Sequence, residues 1–266
     1  MAPMSDPTDL GPPDVPALPG SFGQRLRAGL FTVAFVVWTT ILCIGWLPYA
    51  PFSSGRQMRR LASFWQRGTL SLLRWIVGLR HEVKGLENLP STPVILASKH
   101  QSEWETLFFH TVRPDIVIPL KQELRKVPIF GWYLGIGQNI FLDRAGGSKA
   151  LRGMIQDARA AIADGCSIFI YPEGTRRPPS APADYKPGVA ALYSGLDVPV
   201  VPVALNSARF WRRGQPLGKY PGIVTVEFLE PIPPGLDRKS FMRILEERIE
   251  TRMAVLEREA ARQFEH

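Results

Sequence analysis

"TPVILASKHQSEWETLFF", residues 92–109, changes its periodicity in the middle. The first seven residues are apolar and β-rich, which predicts a short buried strand. Ser102 followed by Glu105 forms an S-x-x-E capping box, which predicts a helix start. His100 then falls on the turn between strand and helix. His100 and Glu105 stand five residues apart, about 140° around a helix, so they meet only if the chain turns between them. A strand, a tight turn carrying polar residues and a helix are the unit from which α/β folds are built.

The same unit recurs downstream. Strands are expected at 93–98, 115–120, 139–142, 167–171, 199–204 and 223–228. Between them "SKALRGMIQDARAAIADG" predicts a helix with Ser148 as N-cap, Leu151, Ile155, Ala158 and Ile162 on one face, and Gly165 as its stop. A long amphipathic helix follows from Asp237. The expected fold class is α/β: a mixed, mostly buried β-sheet flanked by helices.

The N-terminal part differs. Residues 1–20 are rich in proline and acidic residues and predict a disordered leader over 1–22. From Ala28 to Gly55 there is no charged residue, a length sufficient to span a bilayer core, which takes about 20 helical residues. "RQMRRLASFWQRGTLSLLRWIVGLR" (56–80) places Leu61, Trp65, Leu72, Ile76 and Leu79 at helical spacing, with Arg60, Arg67 and Arg74 seven apart on another face. That pattern predicts an interfacial helix touching lipid phosphates, so residues 23–80 are expected to be a membrane-associated two-helix segment ahead of an α/β domain at 81–266. Basic residues flank the apolar run on both sides, with an excess after it. A span with the C-terminal domain in the cytoplasm is expected at an inner membrane, and a re-entrant hairpin in one leaflet is the alternative.

The formal charge is +8, which suits an anionic partner: nucleic acid, an acidic carrier protein or anionic lipid. Two cysteines, Cys43 and Cys166, fit a reducing compartment better than a disulfide framework. The four histidines (81, 100, 110 and 266) show no metal-ligand spacing. There is no G-x-S-x-G elbow and no phosphate-binding Walker loop.

An imidazole beside a carboxylate makes a general base, because the carboxylate fixes the tautomer and stabilises the imidazolium. Equally, Glu105 can be no more than a helix cap and His100 a polar residue at a strand end. Other strand ends decide between these readings. "SIFIYPEGTRRPP" ends a buried strand with Glu173, Gly174, Thr175 and Arg176: a hydroxyl acceptor, a permissive backbone and a planar fork suited to phosphate. "NIFLDRAGG" places Asp143 and Arg144 after a strand, and "IPLKQEL" places Lys121 after another. Cations after three strands, with a His–Glu pair after a fourth, point to one pocket rimmed with positive charge at the carboxyl ends of the strands.

In order and spacing, "KHQSEWE", "KQELRKVPIFGW", "NIFLDR", "YPEGTR" and "VPVVPV" resemble the blocks of the glycerolipid acyltransferase family, in its lysophosphatidate-acylating branch. The resemblance covers about residues 80–235. One departure is that the family's first block is usually His-x4-Asp, whereas the acid here is Glu105. The resemblance implies transfer of an acyl group from acyl-CoA or acyl-carrier protein to the 2-hydroxyl of 1-acylglycerol-3-phosphate, giving phosphatidate. It implies His100 as general base, Glu105 as its partner, and Glu173, Gly174, Thr175 and Arg176 as the acceptor-binding block. Lys121, Asp143 and Arg144 would bind substrate, the two cations at the phosphate. "VPVVPV" and the N-terminal helices would border the acyl chain. No cofactor, metal or nucleic acid is implied. Another lysolipid acceptor is the runner-up, and a non-catalytic basic membrane-surface protein stands behind it.

Overall fold

The computed structural model describes residues 20–143, 146–177 and 181–263. Most of the expected leader, and Arg144, lie outside the described residues.

Helix α1 (Phe22–Trp46) starts at Ser21, whose side chain accepts from the Gln24 N–H. A turn over 47–54 reverses the chain, and Ser54 with Gln57 forms a capping box that starts α2 (Gly55–Leu72). The two helices make a hairpin. Trp38 Nε1 donates to Trp65 O at 3.1 Å, and Trp65 Nε1 returns a bond to Thr39 Oγ1 at 2.9 Å. After α2 the chain makes a π turn over Leu73–Val77, and Gly78 at φ +83° ends it. Leu79 therefore does not sit on the helical face that its spacing suggested. It opens strand β1 (Leu79–Lys84).

The remaining elements follow in chain order: β2 (Ile95–Ser98), α3 (Phe109–Val112), β3 (Ile116–Val117), β4 (Pro119–Lys121), α4 (Phe130–Ile136) and β5 (Ile140–Leu142). Then come α5 (Gly147–Ala163), β6 (Ser167–Ile170), α6 (Pro187–Leu196), β7 (Val200–Leu205), α7 (Ser207–Phe210), β8 (Gly222–Phe228) and α8 (Arg238–Arg262). Gly146 occupies the cap of α5, so Ser148 lies inside the first turn and is not the N-cap.

Six strands form one sheet in the order β1-β8-β7-β2-β6-β3. Strands β7, β2, β6 and β3 run parallel, and β8 pairs antiparallel with β7 and parallel with β1. The sheet is thus mixed and mostly buried, as expected, and β2 and β7 are buried at every residue. The single strand expected at 115–120 is broken. Pro119 has no N–H to give a central ladder, and from there the chain pairs β4 with β5 in a separate two-stranded ribbon. "NIFL" accordingly belongs to that ribbon rather than to the main sheet.

One face of the sheet packs on Phe31, Leu70, Leu73, Phe108 and Phe109, from the hairpin and the segment after β2. The other packs on Met154, Ala158, Leu192, Phe241, Leu245 and Ile249, from α5, α6 and α8. The hairpin is therefore part of the domain's core on its inner side. On its outer side Leu30, Val33, Val37, Ile41 and Ile44 are exposed, and α1 is long and apolar enough to cross a membrane.

Candidate active site

The sheet order brings three loops together. β2 lies between β6 and β7, all three parallel, so the residues that follow them leave the sheet at one end. His100 comes from β2, Tyr171 to Arg177 from β6, and Ser207 from β7. The first two loops are tied directly: the Arg177 N–H donates to His100 O at 3.0 Å.

His100 Nδ1 lies 3.0 Å from Glu105 Oε1. Glu105 is inaccessible to solvent and accepts at both oxygens. Oε1 also takes the N–H groups of Gln101 and Ser102, at 2.5 and 2.7 Å. Oε2 is reached by the hydroxyls of Ser102 and Ser207, at 2.8 and 2.7 Å. One carboxylate thus meets both the Ser102 N–H and the imidazole, but Ser102 is not a helix N-cap: the helix expected to start there is a 3-10 turn over Trp104–Leu107 that follows Glu103, and the Ser102 hydroxyl accepts from the Trp104 N–H. Burial pushes the Glu105 carboxyl up. The bonds from His100, Ser207 and the Ser102 N–H outweigh that and leave it below the usual carboxylate range. An ionised carboxylate only accepts, so the proton between the two residues sits on Nδ1 and the Nε2 lone pair faces away. The imidazole is held flat by Tyr171, whose ring stacks on it with centroids 3.7 Å apart and planes within 13°. The chain therefore carries the geometry of an oriented general base.

An apolar cavity of about 330 Å³ adjoins this dyad. Glu105 and Tyr171 border it, and Leu42, Leu61, Trp65, Phe109, Phe130 and Leu134 contribute much of its wall. The hairpin lines it, whereas "VPVVPV" does not. Residues 200–203 are packed inside the sheet as β7. Deep in the cavity wall His110 accepts from Gln66 Nε2 at 3.1 Å. Burial, then the Arg59 charge, lower its pKa to about 4, so it is neutral near pH 7.

The family described as Acyltransferase is matched over residues 80–206. A 1-acyl-sn-glycerol-3-phosphate acyltransferase of Pseudomonas aeruginosa is 35% identical over 207 residues, covering 76% of this chain and 79% of the relative. The chain belongs to the glycerolipid acyltransferase family. The alpha form of 1-acyl-sn-glycerol-3-phosphate acyltransferase from Mus musculus is 30% identical, covering 60% of this chain and 57% of the mouse protein. In fold, the chain resembles the crystal structure of the 1-acyl-sn-glycerophosphate (LPA) acyltransferase PlsC from Thermotoga maritima. The TM-score is 0.71 at 23% identity, over 88% of this chain and 97% of that one.

The other expected site residues of this acyltransferase fall into three groups. Gly174 adopts φ +65° and donates its N–H to Tyr171 O, a turn that a side chain would strain. It aims Thr175 outward and turns Arg176 back to an ion pair with Glu103, inside the His100 loop. Arg176 is thus beside the dyad. Glu173 is buried, and its Oε1 accepts from Lys99 Nζ at 2.9 Å, with Lys99 also bound to Glu250 at 2.8 Å. Burial, only partly offset by Lys99, raises the Glu173 carboxyl. Among the described residues its Oε2 is buried with no hydrogen-bond partner. Lys121 and Asp143 end the strands of the β4–β5 ribbon and are not bonded to the dyad. Lys121 is exposed there.

Three contributors escaped sequence reasoning: Lys99, Tyr171 as a stacking partner, and Ser207. Lys99 had a signal in being the one charged residue between a buried strand and His100. Ser207 had none, because its role follows from β7 lying next to β2.

Proposed function

We propose that this acyltransferase moves an acyl group from an acyl thioester to the 2-hydroxyl of 1-acylglycerol-3-phosphate. The observation that carries the reading is the oriented His100–Glu105 dyad at the border of an apolar cavity roughly the size of small-molecule sites. His100 Nε2 takes the proton of the acceptor hydroxyl as its oxygen attacks the thioester carbonyl. Glu105 stabilises the imidazolium that forms. The imidazolium then returns the proton to the departing thiolate as the tetrahedral intermediate collapses, leaving phosphatidate and a free thiol. A positioned base contributes roughly 10²–10⁴-fold, and alignment of the two substrates supplies much of the rest.

Arg176 exchanges its Glu103 partner for the acceptor phosphate, Gly174 and Thr175 shape the loop that presents it, and Lys121, Asp143 and Arg144 are further substrate contacts in this reading. Glu173, already held by Lys99, fixes the loop that carries Arg176. The apolar cavity takes an acyl chain. The exposed face of α1 rests in a bilayer, so the acceptor's tail stays in lipid while its phosphate reaches the site. Removing that tail to water would cost about 0.8 kcal/mol per CH₂. The relatives' names, which specify 1-acyl-sn-glycerol-3-phosphate, favour this acceptor over other lysolipids.

The test is thioester consumption with coenzyme A and carrier-protein donors against a panel of lysolipids. Acylation is expected with lysophosphatidate and not with lysolipids lacking a terminal phosphate, and it should disappear in a folded His100→Ala variant. Equal rates across head groups would remove the acceptor assignment. A fully active His100→Ala variant would remove the mechanism.

A further inference from the structure

The cleft of about 490 Å³ between the end of α2 and β1 has no part in the site described above. Arg67, Ser71 and Arg74 line it from the helical side, Arg80 and His81 from β1, and Thr111 from α3. Among the described residues no carboxylate lines it. Arg67 spends one N–H on Thr111 O at 3.3 Å, and Arg74 lies over the Trp75 ring, 5.6 Å from its centroid. The Arg80 side chain forms neither a hydrogen bond nor an ion pair among the described residues and is exposed on an edge strand. The cleft's field is felt within it: partial desolvation, then the Arg74 charge, hold His81 below the usual imidazole range. Converging guanidinium groups with hydroxyls between them, and no anion to neutralise them, form a receptor for a phosphate oxygen cluster.

Neighbouring residues indicate where that phosphate comes from. Phe64 and Trp75, exposed at 56% and 78%, stand on the same helical face as Arg67, Ser71 and Arg74. Phe64 contacts Trp38 of α1 with ring centroids 5.5 Å apart, so the cleft is continuous with the exposed apolar face of the hairpin. Aromatic rings alternating with arginines at the border of an apolar surface match the headgroup layer of a bilayer.

We propose that the cleft between α2 and β1 binds the phosphate of an anionic phospholipid headgroup, at a site separate from the catalytic pocket.

The test measures partition of the full chain onto phosphatidylcholine vesicles with and without phosphatidylglycerol. The variants are Arg80→Gln and, as an independent change at an exposed helical position, Ser71→Asp. Arg60→Gln is the control, on the same helix but outside the cleft. A basic residue near an anionic surface is worth roughly fivefold in binding. That diffuse contribution is the loss expected of Arg60→Gln; Arg80→Gln should lose several times more than Arg60→Gln on the anionic vesicles, and nothing on the neutral ones. Ser71→Asp should lose at least as much. Both should keep the wild-type KM for the thioester and the wild-type rate on a monomeric short-chain acceptor. The proposal is overturned if Arg60→Gln loses as much as Arg80→Gln, since diffuse charge would then account for the binding. It is also overturned if both cleft variants keep wild-type partition. A raised thioester KM with unchanged partition would assign the cleft to the donor's phosphates instead.

Discussion

Replacing Glu105 by Gln tests the dyad with minimal change of shape. Glu105 Oε1 receives His100 Nδ1–H and two backbone N–H groups, while Oε2 receives only the hydroxyls of Ser102 and Ser207. A glutamine at 105 must turn its carbonyl toward the three N–H donors and its amide toward the two serines, whose hydroxyls can rotate to accept. The imidazole then keeps its tautomer and orientation, and what disappears is the negative charge. For unit charges about 4 Å apart at an effective dielectric near 20, that attraction is about 4 kcal/mol. The loss falls only on states in which His100 carries the extra proton, so kcat should drop by roughly 10²–10³-fold at little change in KM for either substrate. Glu105→Asp keeps the charge but withdraws it by one methylene, and should fall between wild type and the Gln variant. The assay is steady-state acyl transfer, with thermal unfolding as a check that the variants fold. A folded Gln variant with wild-type kcat would show that Glu105 is a helix cap and that His100 needs no carboxylate.

Further outcomes follow from the geometry. Arg176→Ala should raise KM for lysophosphatidate by tenfold or more, since a charge-assisted contact is worth roughly 1.5–3 kcal/mol, and leave the thioester KM nearly unchanged; equal effects on both would contradict the assignment. Deleting the hairpin is a poor test of membrane binding, because Phe31 and Leu70 are part of the core and Arg59 is buried against Asp115. A Val37→Lys/Ile41→Lys double variant on the exposed face of α1 should stay folded and lose activity on bilayer-embedded acceptor while keeping it on monomeric short-chain acceptor. His110 is neutral and buried, with a folded pKa of about 4 against 6.5. Below pH 6.5 the unfolded chain takes the proton first, so stability should fall as pH drops from about 6.5 to 4. The total is about 3 kcal/mol, at roughly 1.4 kcal/mol per unit. A variant such as His110→Gln should lack this component in pH-dependent unfolding.

Much of the site is local and was therefore legible. The strand and turn read from residues 92–109 put His100 and Glu105 on one turn because an apolar run and a Ser–Glu pair are short-range signals, although the helix expected from Ser102 is only a 3-10 turn over Trp104–Leu107. The same holds for Gly174, whose positive φ is required by the turn after β6. Reading failed where local pattern met a long-range constraint. Leu79 continued a helical spacing but lies past Gly78, where a left-handed residue ends the helix. Residues 115–120 looked like one strand but are split at Pro119, which cannot donate into a ladder. "VPVVPV" looked like a chain-binding wall and is the interior of the sheet.

The sequence alone determined the alternation of elements, the apolar hairpin with its basic face, and the set of polar residues at strand ends. Which of those ends meet was decided only by the tertiary structure. Placing β2 between β6 and β7 puts Tyr171 and Ser207 on the dyad, buries Lys99 against Glu173 and Glu250, and consigns Lys121 and Asp143 to a separate ribbon. The physical reason is that capping, turn chemistry and periodicity are written within a few residues of one another. Strand order is set by how distant apolar faces bury one another, and no short window of sequence contains both partners.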